Sequence, residues 1–257
     1  MQQEELHAIG ATAILRSAGA FAPGPCIYQF PVSSLDEALA LAETFTAVVL
    51  GALQGATQAF AKDGDIGPVG LISSVIGQEG EQNGAYRLIQ EEKPSESPFL
   101  TYVPSILAWS ALQTFTLPGS CPYDLDMVDI PVLPAIMTNG GPVANIKGED
   151  QTLSFTADLS DSDAAKPYIG GDGEGLYLIY QTGQLLPIPA EICNVSWDGS
   201  VISFEAQFPF SEWVMQGFSH GTLTVGHSFA TADDAVARGL AGPAIIQVQN
   251  DLSLKDD

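Results

Sequence analysis

The sequence predicts an α+β chain with more than one module, an N-terminal helical bundle followed by a C-terminal β-sandwich of Ig-like size. Three observations carry this. Up to about residue 115, apolar residues recur at three- and four-residue steps over long windows. Beyond about residue 145 the chain breaks into short alternating segments rich in Val, Ile, Thr, Tyr and Phe. Between them Pro118, Gly119, Pro131, Pro134, Gly140, Gly141 and Pro142 interrupt every periodic pattern. The expected units are a helical domain over 1–120, a Pro/Gly-rich linker over 121–145 and a β-domain over 146–257.

Taken in order, residues 1–20 read as a helix in which Glu4, His7, Ala11, Ile14 and Ala18 share a face, ending near Gly19. A Pro-rich connector follows, and Ser34-Leu35-Asp36-Glu37 supplies a capping box. The helix it opens runs to about Lys62 on the stripe Leu35, Leu39, Ala42, Phe45, Val49, Leu53, Ala56 and Phe60. Glu43 is the only charge between Glu37 and Lys62, so it is expected inward or at a buried junction, with a solvated edge as the plain alternative. The uncharged run from Thr44 to Ala61 reads as a buried helix and not a membrane span.

Asp65 is the expected N-cap of a third helix, with Pro68 tolerated in its first turn and Lys93-Pro94 ending it. Gly77, Gly80 and Gly84 within it each cost about 1 kcal/mol relative to Ala, which suggests close helix packing or room for a ligand. A shorter helix over 105–115 brings Trp109 towards the bundle. The segments 152–157, 176–180, 201–206, 221–225 and 245–248 read as strands, Asp198-Gly199 as a tight hairpin, and 231–238 as one or two helical turns. Five or more such strands argue for the sandwich.

The third helix carries the most telling pattern. Val69, Ile72, Ile76, Glu79, Asn83 and Tyr86 follow at helical spacing, so a carboxylate and an amide continue an apolar stripe. An ionised carboxylate buried without a partner costs several kcal/mol. Glu79 therefore needs a metal, donors, a raised pKa or nearby water. Glu4 and His7, one turn apart, can present oxygen and nitrogen to one ion, a spacing that also arises by chance in many helices.

Composition narrows the function. With 31 acidic against 8 basic residues and a net charge of −23, the chain is expected to bind neither nucleic acid nor anionic membrane surfaces. Met1 runs straight into Gln-Gln-Glu-Glu without a basic and apolar leader, so the chain as it stands reads as cytoplasmic, or as secreted if it is a processed form. Three cysteines leave at least one unpaired; Cys26 and Cys121, each in a rigid Pro/Gly turn, are the disulfide candidates, and no spacing suits structural zinc. His220 and His227 read as ordinary histidines, Asn194-Val195-Ser196 as a chance sequon, and Asp172-Gly173-Glu174-Gly175 as an acidic turn lacking a full calcium ligand series.

The run Gly70–Arg87, with Glu4-Glu5-Leu6-His7-Ala8, Pro25-Cys26, 118–122 and 150–155, resembles the fungal late sexual development (LsdA-like) and Rds1-like stress-response proteins. Its most specific part is Val75 to Gly84. The resemblance implies a ferritin-like helical domain followed by a β-rich one. A ferritin-like di-iron site takes Glu from each of two helices and Glu-x-x-His from the other two. By resemblance, Glu4 and His7 match one pair, Glu43 a single Glu, and Glu79 the acid of the second pair. Gln82 stands where the second His belongs, and the sequence shows no earlier helix with its Glu. The implication is an incomplete bundle with a degenerate metal site. A groove left by the missing helix calls for a second copy of the chain, a segment of the β-domain or a hydrophobic ligand.

Three functions follow as expectations. The first is a cofactor-free pocket in which Glu4, His7, Glu43, Glu79, Gln82 and Tyr86, amid Phe45 and Trp109, bind or transform a hydrophobic metabolite by cyclisation, cycloaddition or proton transfer, as in fungal secondary metabolism. The second is a metal-dependent oxidase holding a labile Fe or Mn on Glu4, His7, Glu43 and Glu79. The third is a non-catalytic secreted development or stress protein.

Overall fold

The computed structural model describes residues 2–95 and 97–252. Four helices come first: α1 (Gln2–Ser17), α2 (Leu35–Asp63), α3 (Ile66–Ile89) and α4 (Ser105–Gln113). The Ser34 hydroxyl accepts from the Glu37 backbone N–H at 3.1 Å, and the Glu37 carboxylate turns back onto the Ser33 N–H and hydroxyl, one residue earlier than a strict capping box. At the other end Gly64, at φ 79°, donates to the Phe60 and Ala61 carbonyls. The two-residue link Gly64-Asp65 then folds α3 back on α2. Asp65 sits at the N-cap position but its side chain caps nothing.

Helix α2 has the length and apolar composition of a membrane span. It packs on α3 and α4 and buries Ala47, Val48 and Leu50. At Gly51 the chain passes so close that an added Cβ would collide with the Thr101 carbonyl and the Val103 side chain. The later glycines of α3 behave otherwise: a Cβ at Gly77 or Gly80 meets nothing, and one at Gly84 lies against Pro94. Close packing therefore does not account for Gly77 and Gly80.

The connector before α2 pairs with the chain leaving α4. Gln29 N–H donates to the Phe115 carbonyl and Leu117 N–H to the Ile27 carbonyl, and a disulfide joins Cys26 to Cys121 across these segments. Cys193 is free and exposed.

Eight strands follow: β1 (Met137–Thr138), β2 (Ala144–Lys147), β3 (Gln151–Asp158), β4 (Leu176–Thr182), β5 (Ile188–Asp198), β6 (Val201–Phe208), β7 (Phe218–Val225) and β8 (Gly239–Gln249). They form one sheet in the order β1-β3-β6-β5-β4-β7-β8-β2. A bridge from Ile136 to Ala244 brings the β1 edge to β8, so the sheet nearly closes into a barrel. This differs from the two separate sheets of an Ig-like sandwich. The reason lies in β5, which pairs with β4 at one end and β6 at the other, and shifts register between Cys193 and Ser196 where Asn194 takes φ 51°. Such a bulge bends a strand enough to carry one sheet around a corner.

The hairpin expected at Asp198-Gly199 joins β5 to β6, with Asp198 opposite Val201. Strand pairing begins at Met137, inside the stretch expected to be linker. A main core of Phe155, Leu178, Tyr180, Phe204, Phe208 and Ile246 fills the sheet interior. A second core joins Ala47, Val48, Leu107 and Ala111 of the helices to Phe218 and Ile245 of the sheet, so helices and strands are continuous in packing.

Candidate acid and imidazole site

Helix α3 buries Ile72, Glu79, Asn83 and Arg87, a stripe that continues the inward pattern by one further turn to a cation. Tyr86, on the neighbouring row, is half-buried. The side chains that this stripe meets divide into two groups.

The first forms where α1 crosses α3. His7 Nδ1 lies 3.0 Å from Glu79 Oε1 and 3.6 Å from Glu4 Oε2. Gln82 Nε2 donates to Glu4 Oε1 at 2.7 Å and to Gln78 Oε1 at 3.0 Å. Glu79 is only 4% exposed, whereas Glu4 faces solvent. Burial, and then the negative charge of Glu4, push the Glu79 carboxyl above the ordinary glutamate range. Burial would also lift Glu4, but the Gln82 amide, a hydrogen bond shared with Glu79 and the His7 imidazole outweigh it and bring its carboxyl below that range. The two acids are thus driven apart. Burial and the charges of Glu4 and Glu79 raise the Tyr86 phenol, so it borders the same site and holds its proton.

The second group lies between α2 and α3. Glu43 Oε1 is 2.9 Å from Arg87 Nη2, and Gln90 Nε2 donates to Glu43 Oε2 at 2.8 Å. Both partners of the ion pair are buried. Burial raises the Glu43 carboxyl, and the Arg87 charge opposes it. Glu43 is inward, as its isolation in an apolar helix suggested, but it does not join Glu4, His7 and Glu79. Arg87 was missed as a functional residue. Its signal was its place four residues after Asn83, together with the demand of Glu43 for a cation.

Phe45, expected beside these acids, lies elsewhere. Phe45 is two residues from Glu43, hence about 200° around the helix. It packs on Phe115 at 5.0 Å and Phe30 at 5.6 Å, on the face of α2 that meets α4. The cavity that Phe45 lines has none of these carboxylates among its described walls.

The donor set bears on a metal. Among the described residues, ligand atoms of Glu4, His7 and Glu79 all lie within 4.8 Å of one another. Two carboxylates and an imidazole suit one divalent ion. They do not suit a pair of ions, because Glu43 is neutralised by Arg87 and Gln82 offers its amide as a donor to Glu4. His220, in β7, is fully buried with its Nε2 at 2.9 Å from the Tyr102 carbonyl oxygen, and His227 rests against the Tyr177 ring. Asp172 Oδ1 accepts the Glu174 N–H within its own turn. No family model matches the chain, and no curated protein matches it either.

Proposed function

We propose that the chain is a cofactor-free proton-transfer or binding protein whose working groups are Glu79, Glu4 and His7. The observation that supports this reading is the His7 Nδ1 to Glu79 Oε1 contact of 3.0 Å, made beside a second carboxylate that titrates in the opposite direction. A pair of acids split by their surroundings divides the roles of acid and base between them. Glu79, its carboxyl raised by burial and by the Glu4 charge, is the proton donor. Glu4, ionised and open to solvent, is the acceptor, and Gln82 fixes its orientation. His7 relays between them, and Tyr86 offers its phenolic O–H to an oxygen of the bound molecule. The same reading treats the helices as a degenerate ferritin-like arrangement of the LsdA-like and Rds1-like kind, its remaining acid withdrawn by Arg87.

The test is a carbon-13 carboxyl titration of the protein. Separate midpoints, Glu79 above and Glu4 below the ordinary glutamate range, are expected. Coincident ordinary midpoints would refute the assignment.

The grouping of three ligand atoms within 4.8 Å favours a second reading, in which Glu4, His7 and Glu79 hold one divalent ion. The ion would supply Lewis-acid chemistry, and Tyr86 would orient the substrate. Titration with Mn²⁺ separates the two: one-to-one binding that is lost in His7→Ala supports the metal reading, and no saturable binding supports the cofactor-free one.

A further inference from the structure

We propose that the junction of α2, α4 and β8 is a binding site for a small, uncharged apolar molecule about the size of one substituted aromatic ring. A half-open cavity of about 180 Å³ lies there, walled by Phe45, Val48, Leu53, Phe115 and Ile245, with Val49 at its exposed rim. Thr44 is the only polar residue in its lining, and its hydroxyl already donates to the Ala40 carbonyl at 3.0 Å.

Protein interiors pack like organic crystals, so a space of this size leaves its walls short of contacts. Water is a poor filler. Water against these apolar walls finds few polar partners, so its displacement by an apolar group is favourable. A peptide segment is also a poor occupant, because its backbone N–H and C=O groups would find no partners on these walls. What fits is a free molecule without a polar backbone. The site is separate from the acid and imidazole cluster, since none of Glu4, His7 and Glu79 lines it. Its place in the second core means that an occupant would bridge the helices and the sheet.

The experiment is toluene titration followed by methyl NMR at Val48 and Ile245, on wild type, the cavity-filling variants Ala52→Phe and Ala108→Leu, and His7→Ala. Saturable shifts in the wild type, weakened at least tenfold by a folded filling variant and unchanged within twofold in His7→Ala, are expected. No saturable shift up to the solubility limit of toluene, or equal affinity in both filling variants, would overturn the proposal. Because His7→Ala leaves this site intact, its failure and that of the proton-transfer reading are read separately.

Discussion

Arg87 Nη2 lies 2.9 Å from Glu43 Oε1, and this one contact divides the buried acids of the helical part into two kinds. Glu43 has its counter-charge inside the protein. Glu79 has the His7 imidazole at 3.0 Å and sits beside another carboxylate.

Removing the cation exposes this difference. Arg87→Met leaves Glu43 buried without its counter-charge and should cost about 3–5 kcal/mol, whereas Arg87→Met with Glu43→Leu should recover most of the loss. Urea denaturation of both variants checks it. Equal losses in the two would show that the ion pair is not the source.

Histidine 220 sets an acid limit on stability. Burial holds its imidazole at about 4, below its ordinary value of 6.5. The unfolded chain therefore binds a proton that the folded chain refuses. The contribution of His220 is full above about pH 6.5 and falls as the pH drops towards 4, by on the order of 3 kcal/mol. Glu43 and Glu79, both raised, work with the opposite sign: their contribution is present in acid and is lost as the pH rises through their folded pKa. His220→Gln, which keeps a donor for the Tyr102 carbonyl, should flatten the profile between pH 6.5 and 4. An unchanged slope by chemical denaturation at several pH values would count against it.

Two glycines should respond in opposite directions. Gly51→Ala drives a methyl into the Thr101 carbonyl and Val103, and should destabilise by about 1–3 kcal/mol. Gly80→Ala meets open space in a helix and should stabilise by up to about 1 kcal/mol. Thermal unfolding of the pair decides the matter, and a stabilising Gly51→Ala would contradict the tight passage.

Local chemistry was the legible part of the sequence. Ser34 and Glu37 announce the start of α2 through a cap that needs only neighbours, and the stripe through Ile72, Glu79 and Asn83 reveals which side of α3 faces in. Strands with alternating patterns were visible for the same reason. Non-local pairing was not. The parallel partnership of Ala144–Lys147 with β8 joins residues about a hundred positions apart, and in β5 the alternation of Ile188, Ala190 and Ile192 is masked by Pro189 and cut by the bulge between Cys193 and Ser196. Arg87 continues the buried stripe four residues after Asn83, but its pairing with Glu43 of another helix is non-local.

The most direct test of the account follows the Glu79 carboxyl by carbon-13 NMR in wild type, Glu4→Gln and Glu43→Gln. If Glu79 belongs with Glu4 and is separated from Glu43 by Arg87, its midpoint lies above the ordinary glutamate range, moves down in Glu4→Gln and stays in place in Glu43→Gln. A Glu79 midpoint indifferent to Glu4, or one that follows Glu43, would contradict the account.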